Sequence, residues 1–127
     1  MPILTAKIQS KEHLVKNYLE IFNGGLKLTD KEFDIVKEFV LIYLKYSEDG
    51  VKEPTLSEFT FSNKNIQHVK TVLDISKQNW NNYRNKIIEK KAVIEKDGEL
   101  FLNPVIIPQE EITFKFIKTY ENGNSTK

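Results

Sequence analysis

The chain has 127 residues, of which 39% are hydrophobic and 29% are charged, and it contains no cysteine. This length and composition predict a single globular domain with one core. No apolar run approaches the roughly 20 residues needed to cross a bilayer, and the first residues lack the pattern of a signal peptide. The lack of cysteine excludes disulfides, thiolate zinc sites and cysteine nucleophiles, and it suits a reducing cytoplasm.

The net charge of +1 is unevenly distributed along the chain. Residues 1–62 carry 8 basic and 10 acidic side chains, residues 63–96 carry 8 and 3, and residues 97–127 carry 3 and 5. The central block is therefore basic, which is the pattern expected of a surface that binds a polyanion. A lysine-rich helix face that contacts only solvent would produce the same pattern, so charge alone does not decide between the two interpretations.

The first part of the chain, residues 1–27, is predicted to form an extended segment and a helix. Residues 2–9 alternate imperfectly, and Ser10 is a good N-cap for a helix over residues 11–22. Asn23-Gly24-Gly25 is predicted to end this helix, because glycine tolerates the left-handed conformation that follows a helix. The predicted apolar stripe consists of Leu14, Tyr18, Ile21 and Phe22. Val15 and Leu19 are predicted to lie beside it.

Thr29 and Glu32 have the spacing of a capping box ahead of the most regular helical pattern in the chain. Apolar residues then recur every three or four positions, and the helix is predicted to end near Tyr46-Ser47. Residues 48–58 are predicted to be a loop, since they contain the turn signals Asp49-Gly50 and Glu53-Pro54. The following Phe59-Thr60-Phe61 fits either a short strand or a staple before the next helix.

The stretch from Ser62 to Lys90 has the pattern of a helix-turn-helix. Ser62 caps a predicted helix over residues 63–73, and Asp74-Ile75-Ser76 supplies an apolar turn residue and the cap of a second helix over residues 77–90. The inner face of the first helix is predicted to be Ile66, Val69, Val72 and Leu73. One side of the second helix carries Trp80, Tyr83, Arg84, Ile87 and Ile88. This spacing favours a core position for Trp80, against the preceding long helix, over base stacking.

Residues 92–103 are predicted to form a β-hairpin around Asp97-Gly98, a dipeptide typical of two-residue hairpin turns. Asn103-Pro104 is predicted to end the second strand. Residues 112–120 alternate and predict a later, closing strand. The expected fold is therefore mainly α with a small antiparallel β-sheet (α+β), divided into an N-terminal segment (1–27), a helix-turn-helix domain with a hairpin (28–108) and a closing strand with a tail (109–127).

The outer side of the predicted helix over residues 77–90 is rich in amides. Asparagine and glutamine can bind adenine edges in the major groove, whereas lysine and arginine bind guanine or phosphate. Asparagine is a mediocre helix former, so this density costs helix stability and suggests a role in contact. The alternative is compositional, because asparagine is frequent in this chain and exposed amides are harmless. The candidate DNA-binding residues are Lys64, Lys77, Gln78, Asn79, Asn81, Asn82, Asn85, Lys86, Lys90 and Lys96.

Other chemistry finds little support in the sequence. Arg84 fits either a phosphate contact or an intramolecular ion pair. His13 and His68 lack metal-ligand spacing to a second ligand, and Gly24-Gly25 lacks the remaining residues of a phosphate-binding loop. We therefore expect no catalytic site, no metal and no cofactor.

Residues 75–104, ISKQNWNNYRNKIIEKKAVIEKDGELFLNP, carry most of a resemblance to the winged helix-turn-helix of bacterial, plasmid and phage DNA-binding proteins. The shared pattern is Ile-Ser, a helix, an apolar pair, Lys-Lys, an apolar strand, a turn and Asn-Pro. It is similar to wings in replication-initiation and replisome-organiser proteins, and more distantly to repressors of the multiple-antibiotic-resistance type. The resemblance covers residues 28–104 and departs from the family in its low arginine content and very short wing. It implies a recognition helix over residues 77–90 and a wing over residues 92–103.

Two hypotheses of function follow. The first is sequence-directed binding of double-stranded DNA in transcription or replication control, as a homodimer whose candidate dimer element is the helix over residues 11–22. The second is a winged helix that binds proteins, such as a phage particle component or a polymerase adaptor, which the near-neutral total charge keeps open. An enzyme is the least favoured class. We expect a cytoplasmic location, or the host cytoplasm or virion for a phage protein.

Overall fold

Five α-helices and one β-hairpin make up the part of the chain that the computed structural model describes, residues 11–108. The helices are α1 (Lys11–Leu26), α2 (Asp30–Glu48), α3 (Thr55–Thr60), α4 (Asn63–Val72) and α5 (Lys77–Glu89). The strands are β1 (Val93–Lys96) and β2 (Glu99–Leu102), followed by a 3-10 turn at Pro104–Ile106. These elements confirm the prediction of a mainly helical α+β chain with a small antiparallel sheet. The predicted segment 2–9, the cap Ser10 and the strand 112–120 lie outside the described residues.

Helix α2 lies at the centre of the core and packs against α1, α3, α4 and α5. The middle of its apolar stripe is fully buried by these neighbours: Ile35, Val36, Phe39 and Val40. The Phe39 ring lies 4.7 Å from Phe61 and 5.9 Å from Trp80 between ring centroids. Trp80 is only 6% exposed, so the prediction that it belongs to the core is confirmed. Each such aromatic pair contributes about 0.5–1.5 kcal/mol beyond area burial.

The capping box predicted at the start of α2 is present. The Thr29 hydroxyl accepts a hydrogen bond from the Glu32 backbone N–H at 3.3 Å, and Glu32 Oε1 accepts one from the Thr29 N–H at 3.0 Å. These two bonds satisfy backbone donors that the first turn of a helix otherwise leaves unpaired. They fix where α2 begins and hold the Glu32 carboxylate against the core.

Helix α1 is longer than predicted. It continues through Gly24 and Gly25 to Leu26, and the left-handed residue that follows is Lys27, with φ of 59°. The end is fixed instead by Asn23, whose side-chain oxygen accepts a hydrogen bond from the Leu28 N–H at 2.8 Å. That bond and the burial of Leu28 in the core outweigh the local preference of the two glycines, so the prediction of an end at Asn23-Gly24-Gly25 was wrong.

The buried stripe of α1 also differs from the predicted one. Val15 and Leu19, which were expected beside the stripe, are fully buried, while Ile21 is 73% exposed. The buried line of α1 therefore lies part of a turn around the helix from the predicted one, and α1 packs on α2 and on the 3-10 turn. The main apolar side of α1, the candidate dimer element, is thus buried within its own chain.

A short helix, α3, occupies much of the segment that was predicted to be loop. The Glu53 carboxylate accepts hydrogen bonds from the Ser57 N–H at 2.8 Å and from the Ser57 hydroxyl at 2.7 Å, which stabilises the first turn. Leu56 and Thr60 are buried on its inner side. The loop prediction holds for residues 49–54 and was wrong for residues 55–58, which are helical. Of the two alternatives for residues 59–61, the short strand was wrong, since Phe59 and Thr60 belong to α3.

The boundaries of α4 and α5 match the predicted ones within one residue. Ser62 and Ser76 cap the two helices, accepting hydrogen bonds from the backbone N–H groups of Asn65 and Asn79. Between the helices Asp74 adopts a left-handed φ of 54°, and the apolar turn residue Ile75 is buried. One inner-face prediction was wrong: Val72, in the last turn of α4, is 52% exposed.

The hairpin follows with the predicted two-residue turn. Asp97 and Gly98 have φ of 54° and 80°, and positive φ at both positions matches the twist of the strands. The register pairs Val93 with Leu102 and Lys96 with Glu99. Strand β1 packs on α5 and β2 on α3, so the hairpin is attached to the helical core at its Val93–Leu102 end.

Candidate nucleic-acid interface

Helix α5 separates an apolar side from an amide-rich side. Trp80 and Ile87 are buried, and Tyr83, Arg84 and Ile88 are half-buried. All five amide side chains that the sequence predicted as contacts are exposed: Gln78, Asn79, Asn81, Asn82 and Asn85. The separation follows from helical spacing, since residues three, four and seven apart share a side.

Within residues 11–108, none of these five amide groups makes an intramolecular hydrogen bond through its side chain. The side chains of other asparagines form hydrogen bonds within the chain. Asn65 donates to the Tyr46 hydroxyl and the Phe59 carbonyl, and Asn103 donates to the Lys91 carbonyl. The donors and acceptors on α5 are therefore free for an external ligand, as hydrogen bonds to water are readily exchanged.

Four of the five predicted lysines are exposed. Lys64 lies in the first turn of α4, Lys77 in the first turn of α5, and Lys96 at the end of β1. Lys86 lies 3.8 Å from Glu89, both being well exposed, so this pair is weak. These ammonium groups are available to neutralise phosphates.

Lys90, the fifth predicted lysine, is engaged inside the molecule. Its Nζ donates to Glu32 Oε1 at 2.5 Å and to the Lys27 carbonyl at 2.9 Å. Burial on its own would raise the pKa of Glu32, but the hydrogen bonds from Lys90 and from the Thr29 N–H hold that pKa below its ordinary value. Lys90 therefore holds the end of α5 against α2 through a charged pair.

Of the two predicted roles of Arg84, a phosphate contact and an intramolecular ion pair, the structure shows the ion pair. Its guanidinium lies 2.6 Å from Glu95 Oε2 on β1, forming an intramolecular ion pair between α5 and the hairpin. The two side chains retain 29% and 42% of their exposure, so the pair is partly screened by solvent. Sequence reasoning named the possibility of such a pair but not the partner, because the register that brings Glu95 to Arg84 depends on the hairpin docking.

One further hydrogen bond between helices was not predicted from the sequence. Lys31 Nζ, in the first turn of α2, donates to the Leu73 carbonyl at 2.6 Å, at the point where α4 ends. A basic side chain at a helix C-terminus stabilises its unpaired carbonyls. The bond joins the start of α2 to the end of α4, and no local pattern in the sequence could reveal a contact across 42 positions.

Other candidate sites carry less chemistry. A polar groove of about 650 Å³ lies between α1 and α2, with Glu12, His13, Asp34 and Lys37 among its lining residues. Lys37 Nζ and Glu12 Oε1 pair across it at 3.1 Å. The described residues contain no group of three or more His, Cys, Asp or Glu placed to hold a metal ion. None of the five helices in residues 11–108 is long and apolar enough to cross a membrane.

Comparison with protein-family models, with curated proteins and with solved structures finds no match for this chain.

Proposed function

We propose that the protein binds double-stranded DNA through a winged helix-turn-helix, with α5 as the recognition helix and the β1–β2 hairpin as the wing. The order of α2, α4, α5 and the hairpin supports this assignment. So does the turn at Asp74–Ser76, which positions α5 with its amide-rich side away from the core. In such domains the second helix of the motif enters the major groove.

The observation that carries the proposal is the free amide face of α5. A helix with four exposed asparagines gives up helix propensity, and no side chain of the described residues bonds to the amide groups of these asparagines or of Gln78. Exposed lysines lie on α5 itself and on α4 and β1, the elements before and after α5 in the chain, so this part of the chain carries both amides for base edges and cations for phosphates. This arrangement favours sequence-directed binding, as in transcription or replication control.

The lysines provide the test. Replacing Lys64, Lys77 and Lys86 with glutamine removes three positive charges near α5. We expect duplex binding to weaken for all sequences alike, since phosphate contacts carry no sequence information. The matched control is Lys16→Gln with Lys45→Gln and Lys52→Gln, which removes three exposed charges on α1, on α2 and on the segment before α3. Equal weakening in the control would show that overall charge, and not this surface, drives binding.

A protein-interaction role is the competing outcome. The low total charge and the exposed Val72 on α4 are consistent with it. Failure to retard any duplex at low salt, by a protein with an intact cooperative unfolding transition, would favour that role over DNA binding.

A further inference from the structure

Two positively charged side chains at the margins of α5 form ion pairs within the chain, whereas the exposed amides of α5 do not bond to other residues within 11–108. Arg84 is the only arginine in the sequence, and its guanidinium is held by Glu95 at 2.6 Å. Lys90 is held by Glu32 at 2.5 Å. Both cations on the inner margins of α5 are thus paired within the chain, while the amides are not.

Three of the free amides form a single line along the helix. Gln78, Asn82 and Asn85 are spaced by four and three residues, which places them one above another on the side opposite the buried Trp80 and Ile87. All three are exposed. The line extends over the first two and a half turns, where a recognition helix ordinarily meets base edges.

The chemistry of this line selects one base. Adenine presents an acceptor, N7, beside a donor, the N6 amino group, and a side-chain amide offers the matching donor and acceptor. Guanine presents two acceptors, O6 and N7, which suit a guanidinium or an ammonium with several donors. An amide can satisfy only one of those two acceptors with its donor side, so its carbonyl oxygen would face a second acceptor.

We propose that the amide line of α5 reads adenines in the major groove, so that the target of this protein is a duplex whose core positions are A·T pairs. The proposal rests on the proposed function and adds the identity of the bases. Lys77 and Lys86 lie to either side of the line and contact phosphates. Glu95 pairs with Arg84, so the guanidinium of α5, which would otherwise favour guanine, is already engaged within the chain.

Selection from a pool of duplexes with a randomised centre tests the proposal. We expect adenines to be enriched at neighbouring positions. In the selected duplex, each adenine is then replaced by 7-deazaadenine, which keeps Watson–Crick pairing and removes the N7 acceptor. We expect about a tenfold loss of affinity at each position that an amide contacts. In the Asn82→Ala variant, this loss should disappear at the adenine that Asn82 contacts. In the control variant Asn17→Ala, which changes an exposed asparagine on α1, the loss should persist.

The outcomes separate the two proposals. Enrichment of guanines, or full affinity for the 7-deazaadenine duplexes, would overturn the adenine assignment and leave duplex binding intact. Binding without any sequence preference would overturn the assignment together with the sequence-directed role. Absence of binding to every duplex would overturn both proposals.

Discussion

Lys90 Nζ lies 2.5 Å from Glu32 Oε1, and this contact joins the end of α5 to the first turn of α2. Glu32 is only 4% exposed, and the same oxygen also accepts the capping-box hydrogen bond from the Thr29 N–H. The Glu32 carboxylate thus caps the first turn of α2 and also forms an ion pair at the end of α5, the candidate recognition helix. The pair adds a charged contact at the edge of the core to the packing of Trp80 and Ile87 that already holds α5.

Removal of the cation from this pair should destabilise the fold. Lys90→Ala leaves the nearly buried Glu32 carboxylate without its charged donor, and we expect a loss of about 1–3 kcal/mol in the free energy of unfolding. Lys86→Ala, which removes an exposed lysine one turn earlier, should change it by less than about 0.5 kcal/mol. Urea denaturation followed by circular dichroism measures both. Equal midpoints for the two variants would contradict the anchoring role.

The same pair predicts a dependence of stability on pH. Because the pKa of Glu32 is lower in the folded protein than its ordinary value of 4.5, the carboxylate stabilises the fold above that value. The contribution is lost as the pH falls through the folded pKa. The difference in unfolding free energy between wild type and Glu32→Gln should therefore be largest near neutral pH and shrink below pH 4.5. A difference that stays constant down to strongly acidic pH would argue against a charged interaction.

The two glycines inside α1 predict a stabilising substitution. Gly24 and Gly25 are helical, and a Cβ atom built on either one meets no atom within 4 Å. Alanine at both positions should raise the free energy of unfolding by about 1–2 kcal/mol, since glycine in a helix interior costs about 0.5–1 kcal/mol relative to alanine. Gly98→Ala is the contrasting variant. Its φ of 80° is unfavourable for alanine, so it should destabilise. Thermal unfolding of the two variants checks the helix end observed here.

The Arg84–Glu95 pair predicts a gain in DNA binding. Glu95→Gln releases the guanidinium from its partner and removes a negative charge beside α5, so affinity for duplexes of any sequence should rise and depend more steeply on salt. Stability should fall by less than about 1 kcal/mol, because both side chains are partly exposed. Glu20→Gln, an exposed change on α1, is the matched control for charge. Unchanged affinity in Glu95→Gln, measured by fluorescence anisotropy, would contradict a DNA surface near Arg84.

Local signals in the sequence were sufficient for several elements. The Thr29–Glu32 capping box, the serine caps of α4 and α5, and the Asp97-Gly98 turn each involve residues within a few positions of one another, and each is present. The exposed amide face of α5 followed from helical spacing and the apolar residues on its other side. Such features depend on backbone chemistry that neighbouring residues determine.

The features that the sequence did not predict depend on burial in the core and on the docking of distant elements. The bonds at the end of α1 and the start of α3 join near neighbours, Asn23 to Leu28 and Glu53 to Ser57, but they form where Leu28 and Ser57 are buried in the core. The partners of Lys90 and Arg84 are likewise chosen by how the helices and the hairpin dock. Tertiary packing decides such cases, and no local pattern carries that information.

The most direct test of duplex recognition by α5 is the salt dependence of binding. A labelled duplex is titrated with the wild-type protein over a series of salt concentrations, and the logarithm of the association constant is plotted against the logarithm of the salt concentration. We predict a steep negative slope that becomes shallower by about 0.9 for each lysine among Lys64, Lys77 and Lys86 that is changed to glutamine. A slope near zero, or a slope that these three substitutions leave unchanged, would contradict the proposal that this surface binds DNA.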